Sequence, residues 1–386
     1  MLKNKSCAFT YFHWRSIFLL VLVVSIVLLA CEFTLRYFLL RATTEKRDHI
    51  VESWYMPVRF KPNYQGLFWG TSFVTNRHGF RGKKELDAIS GHDEFRILSL
   101  GDSIAFGLGV DQSAHYTSVL ETILNRRSNK KIRVINAGGQ GYSPSNYYVY
   151  LKYTGLKFQP DMVLLEIELC NDISDEALLH WEIDTETPHQ GPKAVRGGRY
   201  VRAWDGNLLA TYSLGNYFFE KTYTYTDLLR RCLNLAYRIH PNPLFNGSLK
   251  NGICYYNLGF DRYLLSESRI ESGWQKTLDS LFATHNLLYD HGIKFLLMLI
   301  PSRYVFETHK QPWNDCAVHL MERASKEISH RNISQLDLTQ TIRNGGGKNL
   351  YFDFAHLTEE GNQVVGKALA NRLSFQITSN TPSTTD

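Results

Sequence analysis

The chain predicts an α/β domain in which about five parallel strands carry helices on both faces of the sheet. Three observations predict it. Five short apolar runs recur, the segments between them space apolar residues at helical intervals, and glycine or other turn residues follow the first three runs. "FRILSLG" is the first run, and Tyr116, Val119, Leu120, Ile123 and Leu124 then mark one helical face. "KIRVINA" is the second, followed by a helix within residues 143–156, and "DMVLLEIEL" after Pro160 is the third. Trp274, Leu278, Leu281 and Phe282 precede the fourth strand, "KFLLMLI". Trp313, Ala317, Leu320, Met321 and Ala324 precede the fifth, "ISQLDL". Thr358 is an N-cap for the last helix, with Glu359 and Glu360 in its first turn and Val364, Val365, Ala368 and Leu369 on one face.

The 386 residues accommodate one such domain with appendages. An apolar content of 44% with 21% charged residues describes an ordered chain, and only the terminal "TSNTPSTTD" looks frayed. The net charge of +6 is carried by no long basic run, so "RRSNKK" reads as a solvated loop and no nucleic-acid partner is expected. The six cysteines, Cys7, Cys31, Cys170, Cys232, Cys254 and Cys316, form no CxxC pair, and no metal or organic cofactor is implied.

No charge lies between Arg15 and Glu32, and "SIFLLVLVVSIVLLAC" is almost wholly aliphatic after Lys3, Lys5 and Arg15. That pattern is an export signal. It reads as an uncleaved transmembrane anchor with its basic end in the cytoplasm, as a cleaved signal, or as a lipoprotein signal with Cys31 lipidated. In each case the rest of the chain lies outside the cytoplasm, on the outer side of a bacterial inner membrane. The expected organisation is an anchor or signal over 1–40, a juxtamembrane lead-in over 41–94, the main domain over 95–375, and a tail over 376–386. Within the main domain the rhythm breaks over about 174–268, an aromatic, helical insert.

Ligands of such sheets bind at the carboxyl ends of the strands, and four stretches fall there. Gly101-Asp102-Ser103 ends the first strand. Alone it is a common turn, because a serine hydroxyl needs a base to become a nucleophile. Of 14 histidines only His356 has an aspartate three residues before it, Asp353, in the loop expected between the last strand and the last helix. Asp353 could hold one imidazole nitrogen while the other accepts the Ser103 proton. "NAGGQGYS" ends the second strand with glycines, of which Gly141 could offer its N–H to a ligand. "ELCND" ends the third, where the Asn171 amide could meet a developing oxyanion.

These blocks, in this order, resemble the SGNH hydrolases, also called GDSL lipases and esterases. The family's serine block is similar to Gly101-Asp102-Ser103, its glycine block to residues 136–141, its asparagine block to Asn171-Asp172 and its Asp-x-x-His block to residues 353–356. The resemblance spans about Phe95 to Phe375. It implies a flavodoxin-like three-layer α/β/α fold, with Ser103 as nucleophile, His356 as general base and Asp353 as its orienting partner. It also implies an oxyanion hole from the Ser103 N–H, the Gly141 N–H and the Asn171 side chain. Leu169 departs from the pattern, standing where the family usually has glycine. "TNRHGFRG", residues 75–82, is similar to a lead-in of membrane-anchored bacterial members. The expected activity is extracytoplasmic removal of acyl groups, acetyl above all, from a carbohydrate or lipid of the envelope. O-acyl transfer to a glycan, or non-catalytic envelope assembly, are the alternatives.

Overall fold

The computed structural model describes residues 16–27, 29–30, 49–51, 55–56, 59–68, 71–86, 94–178, 180–182, 193–196, 199–202, 249–250, 253–254, 267–307, 312–353 and 355–378. The chain divides into two compact units, one from 1–47 with 209–245 and the other from 48–208 with 246–386. In the first, residues 16–27 and 29–30 are helical, and the side chains from Ile17 to Val27 that are aliphatic or aromatic stand exposed. Among the described residues no helix is long and apolar enough to cross a membrane. A helix over 16–27 rises only about 18 Å, against about 30 Å of bilayer hydrocarbon, so the expected transmembrane helix is not supported by these residues.

The second unit opens with four short strands, β1 (Ile50–Val51), β2 (Arg59–Phe60), β3 (Gln65–Phe68) and β4 (Thr71–Val74), paired as two antiparallel hairpins. The core then alternates as the sequence predicts. Strands β5 (Glu94–Leu100), β6 (Lys131–Asn136) and β7 (Met162–Ile167) are interleaved with helices α1 (Ser103–Phe106), α2 (Tyr116–Arg127), α3 (Pro144–Tyr153) and α4 (Leu169–Leu178). The described part of the insert contains a three-stranded antiparallel sheet, β8 (His180–Glu182), β9 (Lys193–Arg196) and β10 (Arg199–Arg202), and a small hairpin, β11 (Leu249–Lys250) with β12 (Ile253–Cys254). These are strands where a helical insert is expected; the stretch "TDLLRRCLNLAYRI" lies outside the described residues. Helix α5 (Glu267–Asp290), β13 (Lys294–Leu299), α6 (Pro312–Ser329), β14 (Gln335–Asp337), α7 (Thr339–Gly345) and α8 (Glu359–Thr378) complete the core.

Five strands pair in parallel in the order β14-β13-β7-β5-β6. Numbered within the core this is 2-1-3-4-5 read from the other edge, the flavodoxin-like doubly wound order. Every residue of β7 is buried, which requires both faces of the sheet to be covered. Helices α2 and α8 pack together, and α3 and α4 pack on α5. The strand order reverses between β5 and β7, the point at which doubly wound sheets take their ligands at the carboxyl ends of the strands. Ser103 follows β5 at that point.

Candidate active site

Ser103 occupies the first position of α1, a single turn whose N-cap is Asp102. The Asp102 side chain accepts the Ile104 N–H at 2.7 Å, and Gly107, with φ +85°, ends the helix by donating to the Ser103 and Ile104 carbonyls. An apolar strand running into a capped turn therefore projects one hydroxyl from the sheet edge. The glycine block is read by close approach: a Cβ on Gly138 would lie 2.3 Å from the Phe106 nitrogen, so only glycine lets this loop touch α1. Gly139 N–H donates to the Gly101 carbonyl at 3.1 Å and ties the two loops together.

Asp353 and His356 are not immediately beyond the last strand, as the sequence reading places them. Helix α7 and a 3₁₀ turn over Gly347–Leu350 intervene after β14. The chain then closes a tight loop, in which a bridge joins Tyr351 to Leu357 and the Phe352 N–H donates to the His356 carbonyl at 3.1 Å. Within it Asp353 Oδ1 accepts the N–H groups of Ala355 at 2.9 Å and His356 at 2.7 Å. Thr358 Oγ1 accepts the Gly361 N–H at 3.1 Å and so caps α8.

The structure brings Ser103, His356 and Asp353 together although the serine and histidine are 253 residues apart. Ser103 Oγ lies 2.8 Å from His356 Nε2, and His356 Nδ1 lies 2.7 Å from Asp353 Oδ2. With Nδ1 protonated toward Asp353, Nε2 is free of its proton and accepts the serine hydroxyl. The Phe352 ring stacks on the imidazole at 5.5 Å and is itself 44% exposed, so one face of the base is covered by an aromatic wall open to solvent.

The electrostatics suit a base. Burial lowers the His356 pKa, but the hydrogen bond and charge of Asp353, with smaller contributions from Asp102 and Glu168, raise it above the ordinary histidine value. Burial raises Asp353, yet the His356 ring and the two N–H donors outweigh it and hold the carboxyl below its ordinary value.

Gly141 and Asn171 follow the carboxyl ends of β6 and β7, the edge of the sheet that carries Ser103. Gly141 sits in the exposed turn after β6 with φ +71° and open space where a Cβ would be. Asn171 lies in the first turn of α4; its side chain is outside the described residues. Leu169, where the resembled family carries glycine, is buried in the core.

Three buried groups around the site have no role that the sequence assigns. Glu166 interrupts the apolar run of β7, and its Oε2 accepts the Asp102 N–H at 3.4 Å. Burial first, then the charges of Asp102 and Asp172, pushes its pKa well up. Asp172 accepts Tyr147 Oη at 2.8 Å and the Glu168 N–H at 3.0 Å, and burial and the Asp102 charge raise it too. Arg81 reaches α1 from the lead-in. A glutamate inside "MVLLEI" is a signal the sequence does contain; Arg81 falls within the lead-in motif, but its partners, about 25 residues on in another element, are not marked there.

No family model and no curated protein matches the chain. Solved structures do. A lipase/acylhydrolase from Enterococcus faecalis is 13% identical with a TM-score of 0.39, the match covering 73% of this chain and 96% of that one. A GDSL-like lipase from Bacteroides thetaiotaomicron is 10% identical with a TM-score of 0.34, covering 73% and 88%. A catalytic mutant of an acetylxylan esterase from Geobacillus stearothermophilus is 11% identical with a TM-score of 0.38, covering 74% and 96%. Similarity at this level carries no chemistry across to this chain.

Proposed function

We propose that the chain is a serine ester hydrolase of the SGNH type, and the observation that carries this is the continuous Ser103–His356–Asp353 hydrogen-bond relay. His356 Nε2 takes the Ser103 proton as Oγ attacks the ester carbonyl carbon. The tetrahedral oxyanion collapses, the C–O bond to the alcohol breaks, and the imidazolium returns its proton to the leaving oxygen, leaving an acyl-serine. Water, deprotonated by the same nitrogen, attacks that acyl group; the carboxylic acid leaves and Ser103 regains its proton. Asp353 holds the imidazole in one tautomer and offsets the charge that forms on it.

The Ser103 N–H, the Gly141 N–H and the Asn171 amide are the donors proposed for the oxyanion. The proposed substrate is an acyl ester, acetyl above all, on a carbohydrate or lipid of the cell envelope. The reading as an exported, membrane-held protein is supported by the charge-free aliphatic stretch after Lys3, Lys5 and Arg15. Protease accessibility in intact and permeabilised cells tests that location.

The function itself is tested with a chromogenic acetyl ester. Ser103→Ala, folded as judged by circular dichroism, is expected to lose at least a thousandfold in kcat, as removal of a triad nucleophile does. Equal rates in the two proteins would remove Ser103 from the chemistry. Adding a glycan acceptor is expected to leave acid release unchanged; diversion of the acyl group to the acceptor would instead make the protein a transferase.

A further inference from the structure

The lead-in motif "TNRHGFRG" is not used by the triad, yet its last arginine reaches the carboxyl end of the one-turn helix that begins at the nucleophile. Asn76 builds the loop: its side chain accepts the N–H groups of His78 at 2.9 Å and Phe80 at 3.1 Å, and its own N–H donates to the Phe80 carbonyl at 3.0 Å. An isolated bridge then sets Arg81 opposite Thr75, and Gly82 N–H returns to the Val74 carbonyl at 2.8 Å. The loop therefore delivers Arg81 in fixed register.

Its guanidinium spans the last carbonyl of α1, that of its C-cap, and one in the loop beyond. Nη1 donates to Phe106 at 2.6 Å and to Gly107, and Nη2 donates to Val110. Gly107, at φ +85°, stands where glycine is favoured, and a Cβ there would press on the buried His115 ring and on Arg81 Nη1. The guanidinium also lies 5.0 Å from the Phe106 ring, which stacks on Phe60 at 4.7 Å and meets Phe73 edge-on at 5.3 Å. Phe60, Phe73, Phe106 and Leu108 form a hydrophobic cluster separate from the sheet core, so α1 packs on the lead-in hairpins. Burial brings the Arg81 pKa down to about 10, with Asp111 opposing, and it stays a cation at neutral pH.

A one-turn helix does not hold its own shape, because fixing its backbone costs more than its few hydrogen bonds return. Asp102 secures the amino end of α1. We propose that Arg81 is the positioning residue that secures the other end, so that the lead-in, and not the hydrolase core alone, sets the aim of Ser103 at His356. The charge also sits at the carboxyl end of the helix, where carbonyl dipoles favour a cation.

This proposal rests on Ser103 being the nucleophile, and the test separates the two. In the full-length chain, Arg81→Ala and Arg81→Lys are compared with wild type for acetyl-ester hydrolysis per folded molecule, with Ser103→Ala as the control for the chemistry. Both Arg81 variants are expected to lose about 10- to 100-fold in kcat with KM within about twofold, because a small misplacement of a reacting atom costs rate and not binding. Lysine should not rescue, since one ammonium cannot span three carbonyls as a planar fork does. Ethylguanidinium should restore part of the Arg81→Ala rate, entering through the cavity of about 520 Å³ that Arg81 lines. Arg77→Ala, at a half-exposed cation of the same motif, should keep wild-type turnover. If Arg81→Ala does not fold, Arg81→Lys gives the same reading. Wild-type kcat in a folded Arg81 variant, or full rescue by lysine, would overturn the positioning role while leaving the triad standing. Wild-type hydrolysis that persists in Ser103→Ala would overturn both.

Discussion

At His356 two opposing effects set the basicity of the imidazole: burial lowers its pKa, and the Asp353 carboxylate, with Asp102 and Glu168 beyond it, raises it further. A base works only when neutral, so activity should fall as pH drops through a midpoint above about 6.5, the unperturbed histidine value. Asp353→Asn removes the group that holds the proton on Nδ1 and the charge that raises the pKa. Its kcat should fall by about a thousandfold or more, and its acid limb should move to lower pH. A pH–kcat profile for each protein checks this; an unshifted limb would mean that Asp353 does not set the base. Asn171→Ala should cost about a hundredfold in kcat if its amide meets the oxyanion, measured on the same ester. Ser103, His356 and Asp353 were legible because the spacing Asp-x-x-His and a serine after a strand are local patterns. Arg81 was not legible, since nothing near it in sequence records which carbonyls it will meet.

At the scale of elements, α1 is held from several sides, among them the lead-in through Arg81, the glycine loop through Gly138, β6 through Asn136 and β7 through Glu166. Gly138→Ala places a methyl against backbone that cannot swing aside. It should cost about 1–3 kcal/mol in a urea titration and lower kcat as α1 shifts. Unchanged stability and rate would show that the two loops have slack. The inner strands β5, β7 and β13 were readable from their apolar runs, because a strand covered on both faces tolerates few polar residues. The course after β14 was not. "TQTIRNGGGKNL" has glycines that read as a loop, yet packing draws it into α7 and a 3₁₀ turn before Asp353. Helix α4 likewise starts at Leu169, inside what reads as one apolar strand, because Asp172 folds back to accept the Glu168 N–H.

For the whole molecule, the buried carboxyls make stability depend on pH. Glu166 is fully buried, its Oε1 meets no hydrogen-bond partner among the described residues, and its pKa is well above the ordinary value. A carboxyl whose folded pKa is raised contributes stability that is complete below the unfolded value of about 4.3 and is lost as pH rises toward the folded one. Wild type should therefore lose stability between pH 5 and 8, and Glu166→Gln should lose less over the same range. Urea midpoints at the two pH values decide it, and parallel losses would mean that Glu166 is not protonated in the fold. Strands β5, β6 and β7 run parallel, so Ser103, Gly141 and Asn171, which follow them, share one edge of the sheet. Fold alone does not assign chemistry; the proposed chemistry rests on the Ser103–His356–Asp353 relay.

The most direct measurement is a fluorophosphonate adduct formed on the full-length protein and mapped by mass spectrometry. The probe should label Ser103 alone, and His356→Ala should slow labelling at least a hundredfold. Labelling at another residue, or labelling of Ser103 at an unchanged rate without His356, would contradict the account.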